Sequence, residues 1–110
     1  MLYFDFEAGN KAYKLRLNTR NTVALEKALG CNPVSIFGTG DTIPTITTMV
    51  TILWASMQQY HHGISLNDAY DIFDAYLEEH SATDFIPVIL EIYKVSGIIG
   101  SGSGENNEKN

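Results

Sequence analysis

A single cysteine, Cys31, stands in the 110 residues. An intramolecular disulfide is therefore excluded, and one free thiol suits a reducing compartment such as cytoplasm. Basic residues are scarce: seven Lys and Arg against 13 Asp and Glu leave a formal charge of −6. A chain that tracks nucleic-acid phosphates needs a basic stripe to displace counterions, so no nucleic-acid partner is expected. Three prolines and nine glycines are too few for disorder throughout. Thr, Gln, Glu or Lys interrupts every long apolar stretch, so no segment is expected to cross a membrane. The opening Met1–Glu7 has neither the positive region nor the small-residue cleavage site of a secretory leader.

What is present suits one domain with a modest core. Leu2, Phe4 and Phe6 alternate with Tyr3, Asp5 and Glu7, and Tyr13, Leu15 and Leu17 alternate with Lys14 and Arg16. Period-two alternation marks half-buried strands, so 2–7 and 12–18 read as a hairpin turning at Gly9-Asn10. That turn sets Phe6 opposite Tyr13, Phe4 opposite Leu15 and Leu2 opposite Leu17, with Asp5 facing Lys14 and Tyr3 facing Arg16 behind.

Four helices follow. The first spans about 22–29, with N-cap candidates among Asn18–Asn21 and Gly30 as its left-handed stop. After Asn32-Pro33, residues 34–43 read as a loop in which Ile36-Phe37 tucks inward. Its Gly38–Asp41 turn lacks the Lys-Ser/Thr ending of a phosphate loop. The second helix, about Pro44–His62, carries Ile46, Met49, Val50, Leu53, Trp54, Met57 and Tyr60 on a wide apolar face, with Thr45, Thr48, Thr51 and Gln58 elsewhere. The third, Leu66–Glu79, takes Ser65 as cap and sets Leu66, Ala69, Tyr70, Phe73, Tyr76 and Leu77 inward. The fourth spans about Asp84–Val95; if Asp84 caps it, Pro87 falls at the third helical position, where a missing N–H costs nothing, and if the helix starts earlier Pro87 should kink it. The fold expected is α+β, an N-terminal hairpin packed on about four helices over 1–97, followed by a flexible polar tail over 98–110.

Two features point to assembly with other chains. Phe85, Ile86, Val88, Ile89, Leu90, Ile92, Tyr93 and Val95 make the last helix apolar nearly all round. It is either a central core helix or one that shares a face with another chain. Charge is also segregated. Asp68, Asp71, Asp74, Glu78, Glu79 and Asp84 lie in a stretch without Lys or Arg, whereas five of the seven basic residues fall between 11 and 27. Such a stretch is usually a solvated face, yet opposite patches on one domain also permit head-to-tail contact. The candidate partner or oligomer contacts are therefore Asp68, Asp71, Asp74 and Glu78 on the third helix and Phe85, Ile89, Ile92 and Tyr93 on the fourth.

No constellation supports catalysis. His61 and His62 diverge by about 100° on a helix, and with His80 they make an incomplete ligand set, so no metal is expected. They read better as a solvated helix end. Carboxylate pairs Asp71/Asp74 and Asp74/Glu78 need a cleft to separate their pKa values. No nucleophile elbow or dinucleotide fingerprint occurs, so neither enzyme activity nor a cofactor is expected.

Three stretches together resemble a known family. Tyr13-Lys-Leu-Arg-Leu-Asn-Thr-Arg, followed by Leu25-Glu-Lys-Ala-Leu-Gly and Asn32-Pro, is similar to the opening of the tail assembly chaperones of Gram-positive siphophages and prophages. Ile52-Leu-Trp-Ala-Ser-Met-Gln-Gln-Tyr-His-His-Gly-Ile resembles that family's central helix and turn. Asp84-Phe-Ile-Pro-Val-Ile, ending in Val95-Ser-Gly, resembles its last helix. The resemblance covers about residues 11–97, and its specificity lies in the ordered set. Trp54 and the Thr-rich stretch 45–51 are not required by the pattern.

The resemblance implies a protein that coats the tape-measure protein in the host cytoplasm, keeps it soluble, promotes tail-tube polymerisation and is absent from the mature virion. It implies a short form, with a longer ribosomal-frameshift product binding the tail-tube protein, and it carries no catalytic residues. The polar tail suits a tether to such an extra module. Two other classes remain open at this point, a structural head–tail connector subunit and a bacterial protein-binding adaptor.

Overall fold

The computed structural model describes residues 2–37 and 43–100. The Gly38–Asp41 turn and most of the expected tail lie outside the described residues. The element order is β1 (Phe4–Ala8), β2 (Lys11–Leu15), α1 (Thr19–Leu29), a 3-10 turn (Pro33–Phe37), α2 (Ile46–Met57), α3 (Leu66–Leu77), a second 3-10 turn (Ala82–Asp84) and α4 (Phe85–Val95). The architecture is α+β, an N-terminal antiparallel hairpin followed by four helices.

The hairpin register is the one that alternation dictates. Phe4 pairs with Leu15, Asp5 with Lys14 and Phe6 with Tyr13. Gly9 supplies the positive φ of 62° at the turn. The ladder stops at Phe4, short of the expected Leu2–Leu17 and Tyr3–Arg16 pairs. Leu17 is buried, but Leu2 is 68% exposed. The chain leaves the ladder because the groups that would pair next bind elsewhere: the Leu17 N–H donates to Ser96 Oγ at 2.8 Å, and the Leu2 carbonyl accepts from the Arg16 guanidinium at 3.0 Å.

α1 starts three residues before the expected Thr22, because Asn18 is the cap that closes: its Oδ1 accepts from the Asn21 N–H at 2.8 Å. Gly30 ends the helix at φ 73°, as its position predicts. α2 is shorter at both ends than expected. Thr45 caps it, so Pro44 lies before the helix, and Met57 is its last residue. α3 begins with a full capping box, in which Ser65 Oγ accepts from the Asp68 N–H and Asp68 Oδ2 accepts from the Ser65 N–H. Ser81 and Asp84 repeat the arrangement one element later, and α4 follows with Pro87 at its third residue.

The central helix is α2, against which α1, α3, α4 and β2 all pack. Of its twelve residues, Met49–Leu53 and Ala55–Met57 are buried. It carries no charge, and its buried hydroxyls are satisfied within the helix. Thr51 Oγ1 donates to the Thr47 carbonyl at 2.7 Å, and Ser56 Oγ to the Leu53 carbonyl at 2.9 Å. Back-bonding of this kind lets a polar side chain enter a core without an unpaired donor.

α4 is instead sided. Phe85, Ile89, Ile92 and Tyr93 are fully buried, whereas Pro87 is exposed and Ile86, Val88, Leu90 and Val95 are half-buried. An aromatic cluster ties it to the rest, with Phe85 5.8 Å from Phe6 and 5.3 Å from Phe73 between ring centres. Packing continues past the expected boundary at 97: the Ile98 N–H donates to the Tyr93 carbonyl at 2.9 Å, and Ile98 and Ile99 lie against the core.

Candidate interaction surface

α3 presents a divided face. Ala69, Phe73 and Tyr76 are buried. Leu66, Tyr70 and Leu77, expected inward with them, are 41%, 41% and 37% exposed. The steps 66, 70 and 77 are helical neighbours one turn and two turns apart, so the three form a ridge along the flank of the buried stripe. Asp71, Asp74 and Glu78 are exposed on the solvent side of that ridge. They make no ion pair among the described residues. An apolar ridge edged by exposed carboxylates suits a helix whose apolar stripe is edged by Lys or Arg.

Asp68 is committed differently. Its carboxylate closes the α3 capping box, so its charge serves the helix start more than any partner. It also lines, with Asp71, a depression shared with Lys11, Tyr13, Ile64 and Ile72. Lys11 therefore sits beside the acids, and charge separated in the sequence is partly rejoined by the hairpin turn.

The four α4 residues expected at a partner surface are corrected by their burial. Phe85, Ile89, Ile92 and Tyr93 have no exposed area. Each faces the chain's own aromatic and aliphatic core, and none can touch another chain unless that core opens. Tyr93 is further tied by its hydroxyl, which donates to the Pro33 carbonyl at 3.0 Å. Burial, followed by the nearby Cys31, pushes its phenol pKa well above the ordinary value. The outer side of α4 is Ile86, Pro87, Val88 and Leu90.

The basic counterpart lies on α1. Thr19, Arg20, Val23, Ala24 and Lys27 line a shallow depression of about 520 Å³, and Val23 is 42% exposed.

His61 has a role that its sequence position did not announce. It is not a solvated helix end: its Nε2 accepts the Lys14 N–H at 2.9 Å, and its ring meets Tyr13 edge-on at 5.3 Å. Acceptance requires the neutral ring, and burial, then the Lys14 charge, lowers its pKa from 6.5. His80 instead stacks on Tyr76 at 4.4 Å. The His61–Lys14 contact spans 47 positions in sequence, and no local signal announces it. Among the described residues no three His, Cys, Asp or Glu side chains converge as metal ligands would, and no helix is long and apolar enough to cross a membrane.

No protein-family model matches the chain, and no curated protein or solved structure is detectably similar to it.

Proposed function

We propose that this chain is a non-enzymatic assembly chaperone of the phage-tail type. In this reading it binds the tape-measure protein in the host cytoplasm, keeps it soluble, promotes tail-tube polymerisation and leaves before the virion matures. The observation that carries the proposal is the exposed ridge of Leu66, Tyr70 and Leu77 beside the exposed Asp71, Asp74 and Glu78. The ordered resemblance over residues 11–97 supplies the choice of partner.

The ridge is narrow, so each copy binds weakly. A long helical partner offers many such sites, and multivalency along one chain restores the overall affinity. Copies assist one another if the acidic face of α3 meets the basic depression around Arg20, Val23 and Lys27 on the next copy. That contact is heterologous and repeats head to tail. Recruitment of the tail-tube protein belongs to a longer frameshift product joined through the polar tail.

The reading is tested by mass spectrometry on fractions of an infected or induced culture. The chain is expected in assembly intermediates with the tape-measure protein and absent from purified virions. Stoichiometric presence in virions overturns the chaperone reading in favour of a connector subunit.

A further inference from the structure

The two edges of the hairpin are not equivalent. β2's outer edge is occupied in part, since the Lys14 N–H donates to His61 Nε2 and the Arg16 N–H to the Ser56 carbonyl. In an antiparallel ladder, backbone groups of alternate residues point to opposite edges. The Lys14 N–H points away from β1, so Asp5, its partner in register, points its N–H and C=O away from β2. Glu7, two residues on, does the same. Among the described residues no hydrogen bond reaches the Asp5 or Glu7 backbone from outside the hairpin. Among the described residues β1 therefore ends the sheet with a row of unpaired donors and acceptors.

Beside that edge lies a groove of about 350 Å³, lined by Phe4, Asp5, Phe6, Glu7, Tyr76, His80 and Val88. Its floor is largely the aromatic pair Tyr76 and His80, with Val88 from α4. An unpaired strand edge over an apolar floor accepts extended backbone. A helix cannot satisfy those groups, because its own backbone bonds are already made.

Charge then selects the strand. Asp5 and Glu7 are exposed and form no ion pair among the described residues. Lys14, opposite Asp5, lies over the Tyr3 ring instead, its Nζ 5.0 Å from the centroid. Pairing β1 with β1 of a second copy would bring acids toward acids, which is unfavourable. We propose that the outer edge of β1 is a strand-addition site for an extended segment of another protein, with basic residues at alternate positions and small apolar residues between them. This inference does not depend on the tail-assembly reading and uses a different surface from the α3 ridge.

The test is an amide-resolved NMR titration of the full chain with a capped peptide of about six residues alternating lysine and valine, matched to strand length. Binding is expected to slow hydrogen exchange at the Asp5 and Glu7 amides by about tenfold or more. The same peptide N-methylated on the backbone positions facing β1 is expected to lose binding. The Asp5→Lys/Glu7→Lys double variant is expected to reject the lysine peptide and accept its glutamate counterpart, with unchanged amide shifts in α2 reporting an intact fold. Equal binding by the N-methylated peptide overturns the proposal, as do shifts confined to Asp71, Asp74 and Glu78, or no binding at all.

Discussion

The Arg16 guanidinium donates to the Val95 carbonyl at 2.7 Å, joining positions 79 residues apart. The same Nη1 donates to the Leu2 carbonyl at 3.0 Å. One side chain thus holds the segment entering the hairpin against the C-terminal end of α4. The α4 carbonyl it satisfies is one that no helical N–H reaches, and a cation there also complements the helix dipole. Arg16→Ala is expected to cost about 1.5–3 kcal/mol, the range for hydrogen bonds from a charged donor. Urea denaturation measures it. Arg16→Lys should recover only part of the loss, because an ammonium is a more strongly hydrated point charge and costs more to draw from water onto the two carbonyls.

Acidification should loosen the hairpin from the helices. The folded state holds the His61 pKa below its ordinary value of 6.5, chiefly through burial and then through Lys14. At high pH the ring is neutral in both states and its contribution is complete. As pH falls below 6.5, the unfolded chain takes up the proton first, so stability declines until the folded pKa has been passed. Stability of the natural chain and His61→Gln, followed from about pH 8 to pH 5, should keep a constant separation at the alkaline end and change it only as pH falls below 6.5, where the natural chain loses the His61 contribution. Parallel curves over that span would deny His61 its role.

Tyr93→Phe removes one buried hydroxyl and leaves the Pro33 carbonyl without its donor. The expected cost is about 1–3 kcal/mol, read from the thermal or urea transition. The same change should increase exchange of amides in the 33–37 turn, which that bond holds to α4.

Phe85→Asp and Ile89→Asp place a charge in a fully buried site, so both are expected to unfold the chain and to say little about partners. Tyr70→Asp and Leu77→Asp lie on the exposed ridge and should cost less, about 1 kcal/mol each for the partly covered apolar area lost. Circular dichroism checks that the fold persists, and association with the partner should nevertheless fall.

These contrasts mark what the sequence made legible. The Phe4–Leu15, Asp5–Lys14 and Phe6–Tyr13 pairing followed from alternation and turn length, because a one-residue slip would reverse every side chain. The Ser65 cap and the Gly30 stop were readable for the same reason, as each acts within a few residues. Which helix is central was not readable. α4 has the more uniformly apolar sequence, but α2 occupies the middle, its Thr and Ser hydroxyls hidden by bonds to its own carbonyls. Position in the core depends on which elements surround a helix, and that is a property of the whole packing. At the candidate surface, the acids of α3 were legible as an exposed face. The exposure of Leu66, Tyr70 and Leu77 was not, because helical spacing alone does not tell how wide a stripe the neighbours will cover.

The most direct measurement is co-expression with the tape-measure protein from the same genome, followed by affinity capture from the soluble fraction. The tape measure should become soluble and carry many copies of the natural chain, and far fewer of a folded Tyr70→Asp/Leu77→Asp variant. A tape measure that stays insoluble while the natural chain remains alone in solution would contradict the chaperone reading.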